Sequence, residues 1–266
     1  MSDITCVINA HREGHILCAT IASVKRAVTY ATSCGLSCVV VVVLDNPDED
    51  TREIVQRECE GFATVEEVDF RDLAHSRNHA TRQCKTKYTT FVDGDDLWSK
   101  NWLVECFILA ERTEKPIVLH PEYNILFDSD SCHVFNHVDM DDQDFEIESL
   151  YRMNYWTALS FAETSIYSNQ LYRKNVIMEG FGYEDWTWNY ETIMAGITHK
   201  VAHGTIHFIR RGNPQDSLLA RTNKLNAVPR ILNIYRRNLS NDIEQEHNES
   251  VLLAESVGND LSLIHI

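Results

Sequence analysis

Residues 73–98 run LAHSRNHATRQCKTKYTTFVDGDDLW. The first part, 74–84, predicts a helix, and the apolar, aromatic run 88–92 predicts a strand. That strand ends in a turn, Asp93-Gly94-Asp95-Asp96. Three carboxylates in one turn repel each other unless a cation shares them. Oxygen donors of this kind suit Mg²⁺ or Mn²⁺, and such ions also hold diphosphates. The plainer reading is an Asp-rich turn in which Asp96 caps the helix that follows.

The alternation continues on both sides. Residues 4–8 read as a buried strand. Residues 15–33 read as a helix with Leu17, Ile21, Val24 and Val28 at helical spacing. The unbroken run 38–44 has the pattern of a central parallel strand covered on both faces. Helices over 51–59 and 102–110 and strands over 64–70 and 117–120 extend the series. Strand, helix and strand joined by short links predict an α/β fold with a mostly parallel central sheet flanked by helices. Ligands in such sheets sit beyond the carboxyl ends of the strands, where Asp45 and Asp93 both fall. After Glu122 the regularity fails. Residues 128–148 read as an acidic surface insertion, 151–176 as aromatic-rich and mixed, 201–211 as a late strand and 225–238 as a helix. The tail from Asn241 is polar and acidic.

The chain has 266 residues, 44% of them hydrophobic, and a formal net charge of -16. That length suits one large domain, or one domain with an appendage. The acidic balance argues against nucleic acid as a partner and against general binding to anionic membranes. The eight cysteines form no CxxC pair. They read as reduced thiols of a cytoplasmic protein rather than a disulfide framework or a zinc site. No signal peptide is visible, and the longest apolar run, 38–44, is too short to span a bilayer. No transmembrane segment is expected, while peripheral membrane contact stays open.

The segment 73–98 resembles the core of glycosyltransferase family 2, in which Ser-x-x-Arg-Asn-x-Gly opens a helix before a strand ending Asp-x-Asp-Asp. Ser76, Arg77 and Asn78 stand at the matching positions, with His79 or Ala80 where glycine is common. The resemblance implies a GT-A (Rossmann-like) fold. It places Arg77 near the base or phosphates of a nucleotide, Asp93 on the ribose and Asp95 on a metal, Mn²⁺ or Mg²⁺. VINAHREGHIL, from Val7, is similar to the family's first strand and loop, which contacts uracil and ribose; Asn9 stands in place of proline and His11 in place of tyrosine. VVVVLDNPDEDT, from Val40, puts Asp45 at the aspartate that accepts a hydrogen bond from uracil, while Leu44 replaces the aspartate before it.

GFGYEDWTWN, from Gly180, resembles the segment carrying the catalytic base. That role falls to Asp185, with Glu184 beside it orienting the acceptor hydroxyl. An inverting displacement needs such a carboxylate within hydrogen-bond reach of the attacking oxygen. Adjacent carboxylates also push one pKa upward. The plainer reading is an acidic helix N-terminus. Trp186 and Trp188 are expected to stack on the acceptor, although some of the aromatics here (Trp186, Trp188, Tyr190) are expected to be core. In HFIRRGNPQDSL, from His207, the resemblance gives His207 as a further metal ligand and Arg210 or Arg211 as the partner of the diphosphate. The loop 212–217 is expected to close over the donor.

These matches imply a domain over 1–218, with a nucleotide-binding half near 1–122 and an acceptor-binding, catalytic half near 150–218. A helical extension and tail follow over 219–266. The expected reaction is metal-assisted, inverting transfer of a sugar from a nucleotide diphosphate, a UDP-sugar foremost. The expected acceptor is a hydroxyl on a glycan, a lipid-linked molecule or another compound. Two rivals are a haloacid-dehalogenase-like phosphatase, echoed by Asp93-Gly94-Asp95-Asp96-Leu97, and an inactive domain that binds a sugar nucleotide or glycan.

Overall fold

In the computed structural model β1 spans Ile4–Ala10, and all seven of its residues are buried. Residues 2–128, 132–212 and 218–231 are described. β1 lies between two parallel neighbours, β2 (Cys38–Asp45) and β4 (Tyr88–Asp93), and β3 (Thr64–Val68) pairs parallel with β2. The connecting helices are α1 (Leu17–Ser33), α2 (Glu49–Cys59) and α3 (Leu73–Gln83). α1 buries Leu17, Ile21, Val24, Ala27 and Ala31, an i, i+3/i+4 stripe, against the sheet. Asp48 and Asp72 cap α2 and α3 by accepting from the amides of Thr51 and His75. This half follows the predicted order closely.

The second half departs from it. β8 (Ser160–Glu163) enters antiparallel between β4 and β6 (Ile117–Phe127), and β6 then runs parallel to β9 (Thr198–Arg210). The sheet order is β3-β2-β1-β4-β8-β6-β9-β5, with β7 (His133–Asn136) hairpinned onto β6. β5 is only Leu97–Trp98, and it pairs antiparallel with Phe208 and His207 of β9. The expected parallel sheet is therefore parallel through β4 and mixed beyond it. Helices α4 (Trp102–Arg112), α5 (Thr164–Asn169), α6 (Glu184–Met194) and α7 (Leu218–Lys224) complete this part.

The acidic segment 128–148 is not merely a surface insertion. His137 is buried, the Val138 carbonyl accepts from Trp156 Nε1 at 2.8 Å, and Asp139 accepts from the Val201 amide at 3.1 Å. One compact unit extends to Pro229, later than the expected boundary at 218, and a second unit starts at Arg230. The reason lies at Gly182, where a Cβ would come within 2.6 Å of Thr222 in α7. The Gly182 amide also donates to the Val228 carbonyl. Of the predicted helix over 225–238, residues 232–238 lie outside the described residues, as do loop residues 213–217 and the tail. No described helix is long and apolar enough to cross a membrane.

Candidate active site

Parallel pairing sets the carboxyl ends of β1, β2 and β4 side by side, Asn9 against Asp93 and Asp45 at the end of β2. Asn9 is buried, and neither its amide oxygen nor its amide nitrogen has a protein partner. A buried amide left open on both sides is costly unless a ligand or water completes it. His11 and Arg12 tie the loop after β1 to the loop after β2. The His11 ring bonds the Asp45 carbonyl, and Arg12 donates to the carbonyl and side-chain oxygens of Asn46. The His11 side of this edge is exposed.

The acidic turn sits next to Asn9. Gly94 has no room for a side chain: a Cβ would lie 2.9 Å from Glu13 Cδ and 3.0 Å from the Asn9 carbonyl oxygen. Thr20 of α1 donates to the Gly94 carbonyl at 2.9 Å. Asp96 faces β9, accepting from the Arg210 amide at 2.9 Å and meeting His207 Nε2 at 3.0 Å. It therefore does not cap α4, whose N-cap is Asn101. Asp95 stays partly open, and its nearest cation is Arg210 Nη1 at 4.0 Å. Burial, with Asp96, Asp93 and Glu13 close by, pushes the Asp95 carboxyl up to about 8.

Arg77 joins this turn to the second acidic cluster. Its guanidinium is buried and donates to Asp93 at 2.9 and 3.2 Å, and to Glu184 at 3.0 Å. It also lies 5.1 Å from the centre of the Tyr172 ring. Burial works against its charge, but Asp93 and Glu184 outweigh burial and hold its pKa above the ordinary guanidinium value. Asp185 follows Glu184 in the first turn of α6. Burial first, then the Glu184 charge, raise Asp185 to about 7, and Arg77 opposes the shift. The two acidic clusters thus form one site, bridged by one arginine.

The sequence profile of glycosyl transferase family 2 matches residues 5–177, more than half of the chain. The chain belongs to glycosyl transferase family 2. Among solved structures it resembles S. aureus TarS, at TM-score 0.60 and 14% identity over 78% of this chain and 36% of that one. It resembles TarS 1-349 in complex with UDP-GlcNAc at TM-score 0.62 and 13% identity, covering 79% of this chain and 59% of that one. The mannosyltransferase PcManGT from Pyrobaculum calidifontis, in complex with GDP-Man and Mn²⁺, gives TM-score 0.55 and 15% identity, with 80% and 59% covered. The chain spans less than two thirds of the length of these three. No curated protein matches it. The likeness shows the GT-A fold, and family membership displaces the dehalogenase-like reading of the acidic turn.

Several family 2 positions do other work here than expected. Asp45 accepts from the amides of Phe70, Arg71 and Asp72 and from the Ser76 hydroxyl, at 2.7–3.1 Å. Its carboxylate is filled by the loop before α3 rather than held open for a base. Arg77 spends its terminal nitrogens on protein carboxylates rather than on a donor. Both oxygens of Glu184 are taken, one by Arg77 and one by Asn175 Nδ2 at 2.7 Å, so Glu184 positions Arg77 instead of meeting an acceptor. Trp188 is buried, stacked on Tyr167 and Tyr172 and donating to the Gln170 carbonyl. It is a core residue, because a step of two positions along a helix crosses to the opposite face. Trp186 remains partly exposed and donates to the Leu150 carbonyl at 2.8 Å.

His207 has both ring nitrogens engaged, by Asp96 and by Thr157 Oγ1 at 3.1 Å, which leaves neither nitrogen open to a metal. Arg210 is drawn to Asp128 at 2.7 Å, and Arg211 is exposed. Among the described residues no three His, Cys, Asp or Glu side chains form a metal cage. The donor set still fits Mg²⁺ or Mn²⁺. These ions commonly take one or two carboxylates and complete their shell with water and phosphate, and Asp95 is a crowded, open carboxylate. Sequence reasoning missed Glu13, Thr157, Asn175 and Asn154. Thr157, Asn175 and Asn154 are single polar residues in loops with no pattern around them, and Glu13 lies in the quoted stretch after β1 at a position the resemblance does not mark.

Proposed function

We propose that this chain is an inverting glycosyltransferase that moves a sugar from a nucleotide diphosphate, foremost a UDP-sugar, to a hydroxyl acceptor on a glycan or a lipid-linked molecule. One observation carries the reading. Arg77 holds the acidic turn of Asp93–Asp96 against the helix start that bears Asp185, a carboxyl raised to about 7. A carboxyl with that pKa is half ionised near neutral pH, where a general base is most effective.

The residues divide the work by position. Asn9, with its open amide, and His11 line the edge where base and ribose would lie, and Asp93 keeps a partly exposed carboxylate beside them. Asp95 would hold the metal, with Arg210 near it to meet the diphosphate. A bound Mn²⁺ or Mg²⁺ supplies positive charge to the departing diphosphate. Asp185 accepts the proton of the acceptor hydroxyl, and Trp186 offers a partly exposed ring face beside it. Donor choice is supported by the neighbours, which were crystallised with UDP-GlcNAc, UDP and GDP-Man. Unpaired cysteines fit the reducing cytoplasm, where we place the protein.

The test is a panel of nucleotide sugars with Mn²⁺, read by thermal shift and by transfer. UDP-sugars should raise the melting temperature only with metal, and Asp95→Ala should abolish the shift. Asp185→Asn should keep the shift and lose transfer by about 10²-fold or more. Transfer at the wild-type rate by Asp185→Asn overturns the base assignment.

A further inference from the structure

Asp185 is not held by its own helix alone. Asn154, in the loop before β8, lies over the first turns of α6. Its Oδ1 accepts from Asn189 Nδ2 at 3.1 Å and from the Trp156 amide at 3.5 Å. Its Nδ2 then faces Asp185 Oδ2 at 3.5 Å, the long end of the hydrogen-bond range. Asp185 and Asn189 are one helical turn apart on the same face of α6, so one side chain reaches both. Asn189 is buried, and its amide nitrogen fixes which way the Asn154 amide points. With Oδ1 facing a donor, only the NH₂ end can face the carboxylate.

We infer that Asn154 is the positioning residue of the base: it donates to Asp185 Oδ2 and so fixes how the carboxylate faces the acceptor. This rests on the reading of Asp185 as base, which it deepens. The other charged groups facing Asp185 are Glu184 on its own helix, Arg77 from α3 and Asp93 from β4; Tyr172 and Tyr183 also feel its charge. Among these charges only Arg77 favours the ionised form, and a hydrogen bond from the Trp186 amide works in the same direction. A neutral donor on Oδ2 favours it without adding charge, so the carboxylate can ionise and still be oriented.

The test separates this inference from the base assignment. Carboxyl ¹³C NMR on the full chain follows the titration of Asp185 with no substrate present. In Asn154→Ala the midpoint should rise by about one pH unit, and in Asn154→Asp by more, because a like charge replaces a donor. Asn189→Leu, which frees the amide to turn, should move the midpoint the same way. Hydrolysis of UDP-GlcNAc with Mn²⁺ is the second readout. Its kcat profile should shift to alkaline pH with the Asp185 midpoint, falling about tenfold at pH 6, while KM for the donor stays unchanged. Unchanged Asp185 midpoints in both Asn154 variants overturn the role of Asn154. A midpoint that moves while Asp185→Asn retains full activity leaves Asn154 as the partner of Asp185 and removes the base assignment alone.

Discussion

A carboxyl raised to about 7 is useful as a base and unfavourable for folding. The unfolded chain lets Asp185 ionise near its ordinary value of about 4, whereas the fold resists ionisation until about 7. Its contribution to stability is therefore fullest below the unfolded value and is lost as pH rises from about 4 through 7. Asp185→Asn removes that penalty. The variant should melt several degrees higher than the parent at pH 8 and nearly level with it at pH 4, as followed by calorimetry, while transfer is lost. Arg77 presents the opposite case. Its buried charge is sustained by Asp93 and Glu184 together, and removing a partner from a buried ion pair is far more damaging than the pair is stabilising.

Among the elements, the turn between β4 and β5 shows how little room the site leaves. Gly94 is enclosed by Glu13, the Asn9 carbonyl and Thr20. Gly94→Ala should push the loop after β1 away from the turn. The expected outcome is a loss of metal-dependent donor binding of about tenfold or more, read by calorimetric titration, with a smaller loss of stability. Elements like this one also mark how far the sequence could be read. β1 to β4 and their helices were legible because apolar runs and helical spacing report burial directly, and Asp93, Asp95 and Asp185 stood in motifs. β5 and β8, of two and four residues, are too short to carry a period. Asp45 and Glu184 were found as residues, but their partners were not, because donors at Phe70–Asp72 and Asn175 are set by tertiary folding. Which of Trp186 and Trp188 belongs to the core was not legible, because a motif marks a segment and only the helix decides which side of it is buried.

Among the described residues four histidines are buried, and three of them, His120 in β6, His199 in β9 and His137 just after β7, share one pH response. His120 Nε2 meets His199 Nδ1 at 2.9 Å, and His199 Nε2 meets Thr192 at 2.8 Å. His137 accepts from the Thr157 amide at 2.9 Å. Burial lowers all three, His137 and His199 to about 3 and His120 well below its usual value. The unfolded chain binds these protons near pH 6.5 and the fold refuses them. Stability is thus fully present above about pH 6.5 and declines as pH falls below it, by about 1.4 kcal/mol per pH unit for each histidine. The melting temperature should drop steeply between pH 6.5 and 5. His199→Gln should flatten that slope.

The insertion of β8 has a consequence for the order in which the protein can be assembled. The pairings among β1, β2, β3 and β4 involve no residue beyond Asp93 and can form once that much of the chain has been synthesised. β8 must return across some seventy residues to seat against β4, and only then does α6 bring Asp185 to Arg77. A nascent chain therefore holds the turn of Asp93–Asp96 well before it has the Asp185 carboxyl, and any chemistry that uses both has to wait for the last strands to dock.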